Sequence, residues 1–242
     1  MRIAVLSDIH GNLLGLDACL ADLASQGGAE AIVAAGDLCL DGPKPKKVLQ
    51  RLEEIGAACV RGNTDRYIAE DRDESFEPAE RAQIAWTRRE IGERWLSWMQ
   101  ALPFALRIGD DDNQLLIVHA NPSSDDEHLW PDADETELRR LIGEETATAI
   151  AFGHLHLPYV RIWRGKLLVN VASAGLPKDG DPRACYAILT EREGGWQVKH
   201  RRVAFDTKRV ATQLAACGIP ESGELIATLR RHRYKGFKGF IP

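Results

Sequence analysis

The feature that most constrains the fold is an alternation of apolar runs and amphipathic segments in the N-terminal quarter of the chain. Short apolar runs at residues 2–7, 31–35 and 57–60 are typical of buried strands. Between them, residues 12–26 and 44–55 carry apolar side chains at spacings of three and four, which predicts amphipathic helices. This order predicts parallel strand pairing with right-handed crossovers, and therefore an α/β fold.

From about residue 104 the pattern changes to short strands joined by turns. The runs at 104–108 and 114–118 flank a polar segment, which predicts a β-hairpin. Further strands are predicted at 149–152, 159–163, 167–171, 186–190 and 196–203, and further helices at 134–146, 207–217 and 221–233. We expect these later strands to form a second, more antiparallel sheet. No long linker or repeat is visible, so we predict a single domain over residues 1–242.

Residues 76–101 are helical by pattern and rich in tryptophan, with Trp86, Trp95 and Trp98. We interpret this region as a pair of helices that pack by an aromatic face. A lid over a functional site is the alternative.

Polar side chains follow five of the apolar runs. They lie in the segments DIH (8–10), GDL (36–38), GNTD (62–65), VHA (118–120) and GHLH (153–156). In open α/β sheets, functional sites are built at the carboxyl ends of strands. Carboxylate, amide and imidazole donors without a thiolate suit Mn²⁺, Fe or Zn²⁺. The sequence therefore predicts a metal site at this edge of the sheet.

Two of these segments place ligand types at alternate positions, Asp8 with His10 and His154 with His156. On an extended backbone, residues i and i+2 project to the same side. We therefore expect each pair to reach one metal centre from one loop. A single Asp-x-His is common by chance, and the prediction depends on all the segments occurring together.

The motif order DxH, GDxxxxG, GN, H and GHxH resembles that of the calcineurin-like metallophosphoesterase superfamily. The strings SDIHGN (7–12), RGNTD (61–65), FGHLH (152–156) and NVASAGLPKDGDPRACYAIL (170–189) are similar to its compact bacterial and archaeal phosphodiesterase branch. This resemblance implies a four-layer αββα sandwich, in which two mixed β-sheets lie face to face and are flanked by helices.

The resemblance also implies which residues hold metal. One ion would be held by Asp8, His10, Asp37 and His156. The other would be held by Asp37, Asn63, His119 and His154, so that Asp37 bridges the two. The implied activity is that of a binuclear phosphodiesterase, in which a metal-bridging hydroxide attacks phosphorus in line. We expect Mn²⁺ as the metal, with Fe, Ni²⁺ or Zn²⁺ as alternatives, and assign catalytic roles to Asp37, Asn63 and Asn12.

Two residues near these motifs are ambiguous. Asn12 is suited either to donate a hydrogen bond to a phosphate oxygen or to cap the following helix. Thr64 follows the Gly-Asn pair where many relatives have a histidine that is thought to assist the leaving group. Threonine is a poor proton donor, so the resemblance leaves general-acid help in doubt. We therefore predict a preference for leaving groups that depart without a proton.

Other functions remain open at this point. The same motifs fit a dinucleoside polyphosphate hydrolase or a phosphomonoesterase, because the metal site is shared among them. A non-catalytic protein-interaction scaffold is an alternative of another class, although such proteins usually lack part of the ligand set, and all positions are filled here. The remaining histidines are interpreted as surface residues, with a position at the site as the alternative for His128.

Composition bears on partners and location. The net charge of −5 disfavours a nucleic-acid polymer as ligand and leaves a small phosphorylated substrate as the expectation. Residues 234–240 mix basic and aromatic side chains, and we interpret them as a frayed terminus. Five scattered cysteines, no signal peptide and no apolar run of membrane length predict a cytoplasmic protein. The oligomeric state stays open.

Overall fold

The computed structural model describes residues 1–70, 76–110 and 112–233, which form two five-stranded β-sheets and the helices around them. The first sheet contains β1 (Arg2–Leu6), β2 (Ala31–Ala35), β3 (Ala58–Val60), β9 (Ala184–Arg192) and β10 (Gly195–Val203). The second contains β4 (Ala105–Ile108), β5 (Leu115–Val118), β6 (Ala149–Phe152), β7 (Tyr159–Trp163) and β8 (Lys166–Asn170). The prediction of an α/β sandwich with two mixed sheets is confirmed.

The helices lie outside the sheets or join their strands. They are α1 (Leu13–Ser25), α2 (Pro45–Glu54), α3 (Asn63–Glu70), α4 (Pro78–Ile91), α5 (Glu93–Gln100), α6 (Glu135–Ile142), α7 (Thr207–Ala216) and α8 (Ser222–Arg231). Helix α3 was not predicted, because its sequence carries too short an apolar pattern to distinguish it from a loop. No helix among the described residues is both long and apolar enough to cross a bilayer.

The strand order of the first sheet is β10-β9-β1-β2-β3, and that of the second is β4-β5-β6-β8-β7. Strands β1, β2 and β3 are parallel, as predicted. The expectation of a more antiparallel second sheet is wrong, because each sheet has two parallel and two antiparallel pairings. The reason is that β9 pairs with the free edge of β1, which brings the β9–β10 hairpin into the first sheet.

Strand β1 shows how the layers are held together. Ile3 and Val5 point into the core between the two sheets, whereas Ala4 and Leu6 point to the helices on the outer face. Successive side chains of a strand alternate between faces, so a strand that is covered on both sides is apolar throughout. This double burial explains why the first strands read as continuous apolar runs.

The tryptophan-rich region forms the predicted helix pair. Gly92, with φ of +79°, separates α4 from α5. Trp95 packs into the core beneath the first sheet, and Trp86 packs against α7 and α8. Both side chains lie in apolar cores, and the lid alternative stays a prediction. The single-domain prediction stays a prediction, and residues 234–240 lie outside the described residues.

We expect the outer core of the second sheet to contribute strongly to stability. Phe152 is fully buried there, with its ring 5.7 Å from that of Tyr159. Phe152→Ala should lower the free energy of unfolding by about 3–5 kcal/mol, as measured by urea denaturation. Val160 on β7 is 46% exposed, and Val160→Ala should cost less than about 1 kcal/mol. Equal losses of unfolding free energy in Phe152→Ala and Val160→Ala would contradict the central place of Phe152 in this core.

Candidate metal centre

The five polar segments meet at one edge of the two sheets, where backbone hydrogen bonds join their loops. The amide of Asp8 donates to the carbonyl of Gly36 at 3.1 Å, and that of His10 donates to Asp37 at 3.0 Å. Across the interface between the sheets, the amide of His154 donates to Asp8 Oδ2 at 2.9 Å. The carboxyl ends of strands from both sheets therefore form one site.

Most of the predicted ligands have a left-handed backbone. Positive φ values occur at Asp8 (52°), His10 (47°), Asp37 (54°), His154 (68°) and His156 (56°). The expectation that Asp8 and His10 share an extended segment is therefore wrong, since sharp local turns aim these side chains. A left-handed non-glycine residue costs of order 1–3 kcal/mol, and such residues concentrate at functional sites.

One cluster joins Asp8, His10 and His156. Asp8 Oδ1 lies 3.2 Å from His156 Nε2 and 4.0 Å from His10 Nε2. The two imidazole nitrogens are 3.3 Å apart. Ligand atoms at about 2.1 Å from one tetrahedral ion lie about 3.4 Å apart, so this spacing fits a common cation.

A second cluster joins Asp37, His119 and His154. His119 Nε2 lies 3.3 Å from Asp37 Oδ1 and 3.2 Å from His154 Nδ1. Asn63 Oδ1 lies 3.0 Å from the same His119 nitrogen. His154 and His156 thus serve different clusters, although they lie on one loop. The ligand partition that the resemblance implied stays a prediction, and these two clusters are the groups of side chains that could hold the ions.

Asp37 connects the clusters. Its Oδ1 faces His119, and its Oδ2 lies 3.7 Å from His10 Nε2. One carboxylate therefore reaches both groups of ligands, as a bridging ligand must.

The outer ring nitrogens of the histidines face backbone carbonyls. The Nδ1 atom of His10 faces Leu40 O at 3.0 Å, and that of His119 faces Ala35 O at 2.8 Å. His156 Nδ1 faces Leu176 O in the same way. A carbonyl accepts only from a protonated nitrogen, so in the neutral ring the inward nitrogen carries a lone pair. Such partners fix the tautomer of metal-binding histidines.

The donor set fits divalent cations on two grounds. Burial lowers the pKa of His10 and His156, which keeps these rings neutral, with their lone pairs converging across 3.3 Å. Lone pairs at that distance repel unless a cation lies between them. In addition, Asp8 Oδ1 is buried without a hydrogen-bond partner in the described chain, and an orphaned carboxylate oxygen is costly unless an ion binds it.

The remaining ligands differ in the direction of their pKa shifts. Burial, together with the neighbouring His119, lowers the pKa of His154 to about 2. For His119, burial also lowers the pKa, but the charges of Asp37 and Asp8 outweigh it and the net shift is upward. Burial raises the pKa of Asp37 to about 6, with the Asp8 carboxylate adding to the shift. The neighbouring buried carboxylates of Asp8 and Asp37 therefore favour a bound cation.

Asp65 is a supporting residue to which the sequence analysis gave no role. Its carboxylate accepts hydrogen bonds from the backbone amides of Asp37, Leu38 and Gly62, at 2.9, 3.0 and 2.9 Å. It thereby clamps the loop after β2 to the loop after β3. Its place in the string RGNTD was visible, but which amides it accepts from depends on how the two loops meet.

Gly62 is required beside this clamp. A Cβ atom there would lie 2.3 Å from Asp37 Oδ1 and 2.4 Å from the Asp37 amide nitrogen. Only glycine allows the backbone to pass so close to the carboxylate.

The ambiguous residues have defined positions. Asn12 Oδ1 accepts from the amide of Gly15 at 3.1 Å, which confirms the helix-capping interpretation. Its Nδ2 donates to Gly175 O at 2.7 Å, so both polar atoms are engaged, and the hydrogen bond to a phosphate stays a prediction.

His128 lies beside the site, with its ring 4.5 Å from that of His154. His200, interpreted as a surface residue, is instead partly buried against Asn170 O.

Asp65→Asn should weaken metal binding without unfolding the protein. An amide nitrogen would face backbone N–H donors where a carboxylate oxygen now accepts, which loosens Asp37. We expect Mn²⁺ affinity to fall by about 10–100-fold, as measured by isothermal titration calorimetry. Asp17→Asn, at a half-exposed ion pair with Arg51, is the matched control and should leave the affinity unchanged. Equal Mn²⁺ affinities in both variants would exclude the clamp.

Comparison with known proteins places this geometry in a family. The family model for the calcineurin-like phosphoesterase superfamily domain matches residues 1–194. An uncharacterised protein of Methanocaldococcus jannaschii is 27% identical over 237 aligned residues, covering 90% of this chain and 94% of that protein.

Two crystal structures are similar over almost the whole chain. A metallophosphoesterase from Sphaerobacter thermophilus has a TM-score of 0.77 at 26% identity, covering 96% of this chain and 99% of that one. A hypothetical protein from Pyrococcus horikoshii has a TM-score of 0.84 at 20% identity, covering 97% and 99%, and shows a shared fold. With its histidine and aspartate clusters at the strand ends, this chain belongs to the calcineurin-like phosphoesterase superfamily.

Proposed function

We propose that the protein is a binuclear metal-dependent phosphodiesterase that uses water to cleave small phosphodiesters. The observation that carries the proposal is the position of Asp37, whose two carboxylate oxygens reach the two ligand clusters at once. Two divalent cations held there would supply Lewis acidity for an in-line displacement at phosphorus and would lower the pKa of water. All seven predicted ligand positions are filled by donor side chains, which weighs against a non-catalytic scaffold.

The residues of this chain have separate tasks in the proposed reaction. Asp8, Asp37 and the four histidines would hold the ions, and Asp65 keeps Asp37 in place. Asn63 directs its amide oxygen to the second cluster. Water gives its oxygen to phosphorus and a proton to solvent, and the bond from phosphorus to one ester oxygen breaks. That oxygen departs as an anion and takes up a proton from solvent afterwards.

The surroundings favour a diester over more highly charged esters. Lys178 is the one lysine or arginine among the described residues that line the cavity beside the centre, and several carboxylates share that lining. A phosphodiester carries a single negative charge, whereas a monoester carries up to two and a dinucleoside polyphosphate more. Repulsion from the lining therefore works against both alternatives. Mn²⁺ as the metal and a cytoplasmic location stay part of the proposal.

The first test compares bis(p-nitrophenyl) phosphate with p-nitrophenyl phosphate, using metal-stripped protein with and without Mn²⁺. We expect Mn²⁺-dependent cleavage that favours the diester, because the cavity lining repels a dianion. Asp37→Ala should reduce the rate more than about 100-fold, since it removes the bridging ligand. No turnover of either ester with Mn²⁺, Ni²⁺, Fe²⁺ or Zn²⁺ would refute the proposal.

The second test concerns proton donation to the leaving group. Thr64 occupies the position after Asn63 and offers a hydroxyl in place of an acidic imidazole. We expect the rate to fall steeply as the pKa of the leaving alcohol rises. General acid catalysis is worth about 10²–10⁴-fold, so Thr64→His should accelerate cleavage of alkyl leaving groups and flatten this dependence. Thr64→Ser is the matched control. A flat dependence in the natural protein would contradict the proposal.

A further inference from the structure

His154 differs from the other three histidines of the metal centre in how its ring is held. It is partly exposed, whereas the other three are at most 5% exposed. Its ring is also reversed, because Nδ1 faces the second cluster and Nε2 faces the backbone carbonyl of Asp126 at 2.8 Å. Packing constrains this ring least, so its orientation depends most on the carbonyl that accepts from Nε2.

Asp126 belongs to a loop, residues 119–134, that joins β5 to α6. This β5–α6 loop turns around the side chain of Asn121, which is fully buried. Asn121 Oδ1 accepts from two amides of the loop at 2.9 Å, and its Nδ2 donates to Glu127 O at 2.7 Å. These hydrogen bonds order the loop from within, and side chains of α3 attach it to the first half of the chain.

Two neighbouring residues of α3 make this attachment. Arg66 forms a bidentate ion pair with Asp125, in which Nε lies 3.0 Å from Oδ2 and Nη2 lies 3.0 Å from Oδ1. Asp125 is 7% exposed, so solvent screens this pair less than an exposed one. The Tyr67 hydroxyl donates to Asp126 Oδ2 at 2.8 Å. The two contacts fix consecutive residues of the loop, and the second of these carries the carbonyl that faces His154.

The same helix begins with Asn63, a predicted ligand of the second cluster. Residues three and four positions along a helix from Asn63 lie on its face of the helix, and these are Arg66 and Tyr67. Asn63 Oδ1 lies 3.0 Å from His119 Nε2. Burial raises the pKa of Tyr67 to about 12, and a hydrogen bond from the Asn63 side chain opposes that shift. An amide that donates through its nitrogen keeps its oxygen available to a cation.

We propose that Arg66 and Tyr67 are positioning residues that set the affinity of the second cluster for its metal ion. They act on Asn63 and His154, which are the two most exposed of the seven predicted ligands. Tyr67 orients the Asn63 amide, and both residues fix the Asp126 carbonyl that orients the His154 ring. The assignment rests on the metal centre of the proposed function, and not on which ester is cleaved.

The first cluster does not depend on this attachment. Its histidines, His10 and His156, face the carbonyls of Leu40 and Leu176, which lie outside the β5–α6 loop. Loss of the Arg66 side chain therefore leaves the ligands of the first cluster in place and acts on the second cluster. The two metal ions should respond differently to the same substitution, which a general loss of stability would not produce.

The test measures Mn²⁺ binding to metal-stripped protein by isothermal titration calorimetry. His154→Ala and His10→Ala identify which binding step belongs to which cluster. Arg66→Gln should weaken the second-cluster step by about 10–100-fold and leave the first-cluster step unchanged. Tyr67→Phe removes one hydroxyl and keeps the ring in the lining of the cavity, to which α7 and α8 also contribute. It should weaken the second-cluster step by about 3–10-fold, and it decides the outcome if Arg66→Gln does not fold.

The chain offers matched controls in a similar network that joins β9 and β10 to α1. There Asp22 accepts from the Tyr186 hydroxyl at 2.8 Å and from Arg201 at 2.7 and 2.9 Å. Tyr186→Phe and Arg201→Gln should lower the free energy of unfolding and leave both Mn²⁺ steps unchanged. The assignment is overturned if Arg66→Gln and Tyr67→Phe keep the natural affinities, or if they weaken both steps equally.

A measurement without metal distinguishes positioning from a purely structural role. Long-range ¹H–¹⁵N NMR spectra report which ring nitrogen of a neutral histidine is protonated. We expect His154 to carry its proton on Nε2 in the natural protein and in Arg201→Gln, and to become a mixture of tautomers in Arg66→Gln. An unchanged tautomer in Arg66→Gln would contradict the positioning role.

Binding and turnover test the two proposals separately. If Arg66→Gln weakens only the second-cluster step and no ester is cleaved, the assignment stands and the phosphodiesterase proposal fails. If diesters are cleaved but Arg66→Gln and Tyr67→Phe keep both Mn²⁺ steps, only the assignment fails. If the natural protein binds no Mn²⁺ at the second cluster, both fail.

Discussion

The hydrogen bonds that Asp65 accepts are the interaction on which the rest of the centre depends. They fix the amide of Asp37, and with it the carboxylate that reaches both ligand clusters. Burial raises the pKa of Asp65 to about 7, with the Asp37 charge adding to the shift and backbone N–H donors opposing it. A buried carboxylate near other carboxylates is unfavourable on its own. Buried negative charge therefore destabilises Asp65 as well as the ligand Asp37, and a bound cation would stabilise both carboxylates.

Backbone strain at the ligands is a second unfavourable contribution to the free energy of the folded centre. Left-handed conformations at Asp8, Asp37 and His154 are held by hydrogen bonds between loops rather than by regular secondary structure. Double burial of the strands beneath them supplies the rigidity that keeps these turns in place. The stability of the buried sheets thus compensates for the backbone strain at the ends of their strands.

Much of this arrangement could be predicted from the sequence. The apolar runs that end in Asp8, Asp37 and Asn63 indicated parallel strands with polar ends at one edge, and the structure brings these side chains together. The assignment of His154 and His156 to different ions came only from the resemblance, because residue spacing does not show where a loop turns. The reasoning from an extended backbone failed for the same reason.

Other features depend on tertiary pairing and were beyond a pattern analysis. The clamp made by Asp65 requires two loops from separate strands to meet, and nothing local to RGNTD specifies its partners. Likewise, the pattern of β9 identifies a strand but not its neighbour, so its pairing with β1 was missed. The cavity wall from α7 and α8 depends on how those helices pack against Trp86, which the apolar spacing of each helix does not determine.

The pairing of β9 with β1 also has a consequence for how the chain folds during synthesis. Ile3 has Ala31 on one side and Leu189 on the other, so the central strand of the first sheet keeps an open edge until most of the chain has been made. Contacts so distant in sequence form slowly, and an unpaired strand edge invites association with other chains. Until β9 arrives, the nascent protein therefore exposes β1, the strand that leads into Asp8, along one whole side.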